Sequence, residues 1–577
     1  MKYKILALLC IAFFFWLVIQ PVELYWSYAD MLLMQGVGGV AVIAALILVW
    51  RKQQLILSTI DAVVVLWFVY VMLRIYVDPI YPNAYFCLRV LQMVALYGGI
   101  RLLLSSVQLS ERVIVLILLL CGIYEVYLGV EQLINGGSRH HIFLLTGSFL
   151  NPGPYSVFLG MGLVMSCLLE KNCSSSNNNL KTLFKWLPWV FLILLPATWS
   201  RATIISAVIC LVIIYWNQLK RWRWWLGGVF FLVLTGLYFL KQGSADGRSI
   251  IYIISLLSIC HAPVFGSGIG SFCHQYAEEI ARFSSQHPEF DYQSADVIEG
   301  AFNSILQIGV EQGFVGVCLA VSLVVLVLAR LYRSSKAMGI GLLCLLIFSM
   351  FSYPFDQLPY QIIFVFIAAY AATDQKENAL STKMSQLSKR YILPTIMLGC
   401  VVSFSLFTHN QIMERARAEY DYHIMSGLKN SAFIDDYYEL LPLLSYNKHF
   451  LFDLSKMLIV DGRYNDSNAI LRLGTLISND PMFYVIQGNN YLQMGFYHEA
   501  EAVYQKAFDI MPNRLYPLYQ LMLLYGKEGN KREQLKMAQQ VLNFNEKVIS
   551  PATIEMKEKA KEVSESLIMK KEVAENL

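Results

Sequence analysis

The strongest constraint on this chain is a succession of apolar runs in residues 1–408, each near the length of a membrane-spanning helix. We count about thirteen runs, several of them shorter than the roughly 20 residues that a full crossing needs, near 4–20, 31–50, 57–77, 85–104, 112–130, 153–170, 186–200, 203–217, 225–240, 313–330, 338–353, 358–373 and 391–408. Charged residues make up 15% of the chain, against roughly 25% in soluble domains. The sequence therefore predicts an all-α fold, a polytopic membrane helix bundle of about 12–13 spans.

The distribution of Lys and Arg between the runs predicts the orientation of the bundle, because basic residues concentrate in cytoplasmic loops. With the N-terminus in the cytoplasm, alternate connections hold basic clusters such as 220–223, whereas the opposite connections at 78–84 and 354–357 hold no Lys or Arg. Residues 241–312 then face outward. An odd number of crossings places residues 409–577 on the same outer side.

Residues 241–312 form the longest polar stretch between two apolar runs, and we interpret them as a large outer loop. Irregular backbone and ionisable groups in membrane proteins concentrate where chemistry or transport takes place. The net charge of +4 comes from basic residues in separate short loops, so we predict no nucleic-acid partner. The outer loops contain no Asp-x-Asp or other ligand pair, so we predict no metal.

The C-terminal part, residues 409–577, has the sequence of a soluble helical domain. The residues that fit the 34-residue tetratricopeptide pattern are Gly488, Tyr491, Gly495, Tyr497, Ala500, Tyr504, Ala507 and Pro512. Gly462 precedes Gly495, and Gly529 follows it, at nearly the same spacing. We predict about three repeats between 448 and 545. Their concave face is interpreted as a docking surface for a partner protein or an acceptor, with a structural cap as the alternative.

Several phrases, in order along the chain, carry a resemblance to a known family. They are TGSFLNPGPYSVFLG at 146–160, Ser200-Arg201, Gly247-Arg248, FGSGIGSF at 265–272, and Asn303-x-x-Leu306 followed by Glu311-x-Gly313-x-x-Gly316. They resemble the motifs of the O-antigen ligase family, which belongs to a superfamily of membrane glycosyltransferases. The resemblance covers 140–330, and the tetratricopeptide tail resembles a subgroup with a soluble periplasmic extension.

The resemblance implies a reaction at the periplasmic face of the bacterial inner membrane. The expected donor is a glycan on undecaprenyl diphosphate, and no cofactor is expected. The acceptor is lipid A-core for a ligase, a growing glycan for a repeat-unit polymerase, or a protein for an O-oligosaccharyltransferase, and these alternatives stay open. A polysaccharide transporter or flippase is the alternative from another class. It predicts two corresponding halves with broken helices, and the spans carry no visible duplication.

Arginines are the natural ligands for the diphosphate, because a guanidinium matches phosphate oxygens. Arg201 and Arg248 lie in two of the family phrases, so we assign them diphosphate binding and stabilisation of the leaving group. Arg74 and Arg89 lie within spans, towards the outer side, and either line the same cavity or extend to the interface. Arg139 lies in an outer loop and is predicted to bind sugar or phosphate, with a solvated side chain as the plainer interpretation.

The general base does not carry over from the family, because Phe302 stands where its members often have His. We prefer Glu299 as the base, since it lies on the same approach to the next span as Asn303. His274 is a second catalytic candidate. A solvated carboxylate or imidazole is the plainer interpretation of both. Asn151 and Asn303 complete the predicted substrate-binding set.

Overall fold

The structure is a computed structural model. It describes residues 5, 8–12, 15–16, 36–78, 84–107, 109–138, 142–149, 151–172, 178–225, 227–228, 235–236, 242–373, 387–428 and 431–575. The predicted site residue Arg139 lies outside the described residues, as do most of the predicted runs near 4–20 and 225–240.

Helices make up the regular structure of the described residues, which contain no strand. The longer ones are α1 (Gly36–Trp50), α2 (Thr59–Val77), α3 (Ala84–Ser106), α4 (Glu111–Asn135), α5 (Pro152–Lys171), α6 (Asn178–Leu192), α7 (Arg201–Ile214), α8 (Gln242–His261), α9 (Phe272–Gln286), α10 (Ser304–Ser334), α11 (Lys336–Ser349), α12 (Leu358–Ala371), α13 (Leu393–Leu428), α14 (Ile434–Leu444), α15 (Lys448–Val460), α16 (Tyr464–Ile477), α17 (Met482–Gln493), α18 (Tyr497–Ile510), α19 (Leu515–Glu528), α20 (Lys531–Asn543) and α21 (Pro551–Glu575). The predicted all-α polytopic helix bundle is confirmed.

Six helices of the described residues are long and apolar enough to cross a membrane, namely α2, α3, α4, α5, α10 and α13 with the turn before it. The α7 helix and the segment Trp216–Trp225 pass together as a seventh, bent by 81°. Shorter apolar helices account for much of the difference from the predicted count. The α11 and α12 helices have 14 residues each, which is about 21 Å of helix against a hydrocarbon core of about 30 Å.

Residues 242–303, which we name the outer segment after their predicted orientation, are largely helical where the sequence was interpreted as a polar loop. They contain α8 and α9, which pack against each other. The buried side chains of α9 include Tyr276 and Ile280, four residues apart and therefore on one face. The polar residues of this stretch concealed two helices. Only one face of α9 is apolar, whereas α8 also exposes Ile253 and Leu256.

The C-terminal domain consists of consecutive helix pairs. Gly462, Gly495 and Gly529 occupy the turns of the pairs α15/α16, α17/α18 and α19/α20, with φ of 77°, 81° and 82°. Glycine suits this left-handed conformation because it has no Cβ. A Cβ on Gly488 would lie 2.4 Å from the ring of Tyr504, which explains a small residue between paired helices. The assignment of these pairs to tetratricopeptide repeats stays a prediction.

The C-terminal domain packs on the outer segment, so both lie at the same end of the helix bundle. The α9 helix contacts α16 and α18, and Ile510 and Met511 belong to the same buried cluster as Tyr276. The α13 helix connects the two regions. It has 36 residues, or about 54 Å, which exceeds the thickness of the hydrocarbon core by about 24 Å.

Candidate active site

The glycine-rich phrase at 265–272 docks onto a break in α10. At Gly313 the backbone leaves the helical conformation, with φ 63° and ψ −164°. The Gly268 N–H donates to the Glu311 carbonyl at 3.0 Å. A Cβ on Gly266 would lie 2.4 Å from the carbonyl carbon of Glu311, so this contact requires glycine. The two family phrases therefore form one backbone-to-backbone contact that fixes the outer segment on α10.

The Thr-Gly-Ser phrase before α5 folds over two buried polar side chains of α4. The Gln132 side-chain oxygen accepts the Gly147 N–H at 2.8 Å, and a Glu125 carboxylate oxygen accepts the Ser148 N–H at 3.0 Å. These contacts satisfy backbone groups that are out of reach of water. They fix the turn that leads into α5 at the outer end of the bundle.

Arg201 and Arg248 are brought near each other from two helices. Arg201 is the first residue of α7, and Arg248 is half-buried in the second turn of α8. Desolvation by the surrounding protein lowers the pKa of Arg248, and the positive charge of Arg201 also lowers it. Two neighbouring cations, one of them at a helix N-terminus, favour the binding of an anion.

Phe302 occupies the position of the family's His and has a strained backbone. Its φ is 50°, a region that bulky residues rarely adopt. The guanidinium of Arg248 lies 5.7 Å from the centre of the Phe302 ring, and the Tyr353 ring meets it edge-on at 5.2 Å. The Tyr252 hydroxyl donates to the Phe302 carbonyl at 3.2 Å. Phe302 thus orients Arg248 through a cation–π contact.

Asp356 is a carboxyl of the site that sequence reasoning missed. It lies in the short turn Pro354–Asp356 between α11 and α12, where solvent reaches it. Desolvation by the surrounding protein, followed by the negative charge of Glu299, raises the pKa of Asp356 to about 6. The residue is exposed, although the surrounding protein desolvates its carboxyl. A carboxyl that titrates close to neutral pH is suited to accepting a proton.

Tyr353 connects the carboxyl and arginine parts of the site. Burial raises the pKa of its hydroxyl, and Asp356, Glu299 and Arg248 all act on it electrostatically. The signal that could have pointed to Asp356 is a lone acidic residue in a short outer connection, SYPFDQLPY. In the described residues, no three His, Cys, Asp or Glu side chains are arranged to hold a metal ion. Metal independence stays a prediction.

Glu299 and His274 both face the C-terminal domain. The Glu299 side chain is 83% exposed, and it accepts a hydrogen bond from the Lys448 ammonium at 2.7 Å. The His274 Nδ1 lies 2.9 Å from the Thr475 carbonyl oxygen. Their catalytic roles stay predictions.

The two predicted asparagines begin helices. The Asn151 side-chain oxygen accepts the Gly153 N–H at 2.9 Å and caps α5. The Asn303 side-chain oxygen accepts the N–H groups of Ile305 and Leu306 at 3.0 and 3.2 Å and caps α10. Both contacts account for asparagine in structural terms. Substrate binding by these side chains stays a prediction.

Arg74 and Arg89 support parts of the site from α2 and α3. Arg74 donates to the Gly266 carbonyl at 3.0 Å and forms an ion pair with Asp78, so it holds the glycine-rich phrase. Arg89 donates to the Gln361 side chain at 3.0 Å, close to the turn that carries Asp356. Contact of either arginine with a diphosphate stays a prediction.

Comparison with known proteins bears on the part of the chain that contains both site arginines. Residues 186–321 match the family model described as O-antigen ligase. No curated protein sequence matches the chain. The match spans α7, α8, α9 and the first half of α10, and it confirms the predicted resemblance to the O-antigen ligase family. The chain is therefore a multi-pass membrane protein in which residues 186–321 match the O-antigen ligase family.

Proposed function

We propose that the protein moves a glycan from undecaprenyl diphosphate to an acceptor hydroxyl at the periplasmic face of the bacterial inner membrane. The observation that carries this proposal is the convergence of Arg201 and Arg248 from separate helices, with Arg248 and Asp356 both acting electrostatically on Tyr353. This arrangement has a place for an anionic leaving group and a separate place for a proton. Both are needed for glycosyl transfer from a lipid diphosphate.

The arginines bind the diphosphate and stabilise it as it leaves. Its negative charge grows while the bond to the sugar breaks, so fixed cations act more strongly on the transition state than on the bound donor. Arg248 is held over the Phe302 ring, which limits its movement before the donor arrives. A charge fixed in advance needs no reorganisation during the reaction.

Asp356 accepts the proton of the acceptor hydroxyl. The acceptor oxygen forms a bond to the anomeric carbon, and the bond from that carbon to the diphosphate oxygen breaks. The electron pair of the broken bond goes to the diphosphate, and the hydroxyl proton goes to the Asp356 carboxylate. With a pKa of about 6, this carboxyl is largely ionised at neutral pH. Asp356 therefore replaces Glu299 as the preferred base, and the proposed reaction needs no metal.

The three acceptors, lipid A-core, a growing glycan and a protein, use the same chemistry. The contact between the C-terminal domain and the outer segment supports a location of that domain on the periplasmic side, beside the site. A partner protein that docks on the helix pairs remains part of the proposal for the protein acceptor.

Deletion of the gene, followed by analysis of surface glycans, tests the function in the cell. Loss of polymer from lipid A indicates a ligase, short-chain glycan a polymerase, and unglycosylated protein a protein glycosyltransferase. Purified protein in vesicles with lipid-linked glycan separates transfer from transport. Transfer releases undecaprenyl diphosphate and forms a new glycosidic bond. Movement of the intact lipid-linked glycan across the bilayer without that release would contradict the proposal and favour a flippase.

A further inference from the structure

Three lysines of the C-terminal domain each meet an acidic side chain of the outer segment. The pairs are Lys448 with Glu299 at 2.7 Å, Lys506 with Glu278 at 2.5 Å, and Lys547 with Asp296 at 3.3 Å. All three link the same two regions. The pairs differ in whether the acidic residue lies near Asp356. This difference distinguishes a contact that only joins the two regions from a contact that bears on the reaction.

Only the Lys448 pair of the three is tied to the candidate base in the described structure. Glu299 precedes Gly300, and a Cβ on Gly300 would lie 3.4 Å from a carboxylate oxygen of Asp356. The backbone that carries Glu299 therefore runs directly past Asp356. Lys448 and Asp356 also act electrostatically on the same Cys273 thiol. The first residue of α15 thus contacts the segment that runs past Asp356.

The titratable groups that face Asp356 come from the outer segment, from α10 and from its own turn. They are Glu299, Cys273, Glu311 and Tyr353. Glu299 and Glu311 are carboxyls, so ionisation of Asp356 adds a negative charge to an acidic surrounding. A cation on Glu299 reduces that repulsion.

We propose that Lys448 is a positioning residue for the transfer reaction, which holds Glu299 beside Asp356 and offsets its negative charge. This inference rests on the proposed function. The C-terminal domain thereby supplies a part of the active site, and the site is incomplete without it. Lys448 does not touch the reacting atoms and acts through Glu299.

Lysine-to-glutamine substitution in the full-length protein tests this role through the pH dependence of transfer. Asp356 works as the carboxylate, so transfer falls as pH drops through its pKa. In Lys448→Gln, the uncompensated Glu299 disfavours that carboxylate, and the acidic limb of the profile moves to higher pH by roughly 0.3–0.7 unit. In Glu299→Gln, the negative charge is gone, and the limb moves to lower pH by a similar amount.

Two variants control for folding and docking. Lys448→Arg keeps the charge and is expected to keep the wild-type profile. Lys506→Gln removes a lysine of the same interface and is also expected to leave the profile in place. If the wild-type protein is active and Lys448→Gln has the same acidic limb, the inference is overturned while the proposed function stands. An equal shift of the limb in Lys506→Gln would have the same consequence. Absence of transfer by the wild-type protein would overturn the proposed function and the inference that rests on it.

Discussion

The helix bundle holds arginines at both of its ends, in opposite electrostatic settings. Arg101 of α3 is 2% exposed, and its Nε lies 3.1 Å from a carboxylate oxygen of Asp61. The Tyr97 hydroxyl donates to the same oxygen at 2.6 Å. At the outer end, Arg248 has Arg201 as a charged neighbour. Arg101 has a carboxylate partner, whereas Arg248 has a second cation among its electrostatic neighbours.

This difference separates a structural charge from a binding charge. A buried ion pair with its hydrogen bonds complete keeps its charge within the protein, and its contribution lies in the fold. Two cations near each other repel, and an anion from outside relieves that repulsion. The same residue type therefore has a scaffold role at one end of the bundle and, in our proposal, a substrate role at the other.

The largest effect is expected from removal of both outer cations. Arg201→Ala together with Arg248→Ala should lower the rate of transfer by at least ~10⁴-fold, since each cation that stabilises a developing charge contributes roughly 10²–10³-fold. The thermal unfolding midpoint in detergent should change little. The measurement is the rate of release of undecaprenyl diphosphate by the purified protein.

Arg282→Ala is the matched control for this experiment, because Arg282 is a half-exposed arginine of the same outer segment in an ion pair with Glu279. It should leave the transfer rate within about twofold of wild type, because Arg282 is not among the charged neighbours of Arg248. Its partner Glu279 is 9% exposed, so the unfolding midpoint is measured alongside. Full transfer by the double variant would show that these arginines do not bind the diphosphate.

Asp356→Asn should lower the transfer rate by roughly 10²–10⁴-fold, because the variant cannot accept a proton. It should also remove the acidic limb of the pH profile. The active form is the carboxylate and the pKa of Asp356 is about 6, so wild-type transfer should fall as pH drops below that value. Asp291→Asn, an exposed acidic residue of the outer segment, serves as the control. An unchanged acidic limb in Asp356→Asn would assign that limb to another group.

At the inner end, loss of the counter-charge should affect stability. Asp61→Asn leaves Arg101 buried without a negative partner and should lower the free energy of unfolding by about 3–5 kcal/mol. Transfer per folded molecule should persist. Adding Arg101→Gln should recover part of the loss, because the buried charge is then gone. A variant with the wild-type free energy of unfolding that fails in transfer would contradict the purely structural role of this pair.

The sequence could predict those site residues whose signal lies in a short stretch of the chain. Arg201 and Arg248 lie in short phrases that can be recognised along the chain, and the structure brings them together. Asp356 is a lone acidic residue in a short connection and is separated from Glu299 by two helices, so only tertiary packing shows that it lies beside the backbone of Gly300. Glu299 was the preferred base on its position in the sequence. Its exposed side chain and its lysine partner belong to a contact between two domains, which no local pattern encodes.

The smallest effect in this series concerns the backbone that shapes the outer end. At Gly313, a Cβ would lie 2.4 Å from the Gly266 nitrogen, and φ is positive. Gly313→Ala should therefore lower the free energy of unfolding by about 1–3 kcal/mol. It should lower transfer as well, because the outer segment that carries Arg248 docks through this contact. Gly399→Ala in α13, where a Cβ meets nothing within 4 Å, should raise stability by up to about 1 kcal/mol. If Gly313→Ala and Gly399→Ala changed the unfolding midpoint equally, close backbone packing would not fix the outer end of the bundle. The geometry of the outer end would then depend on charges, as that of the inner end does.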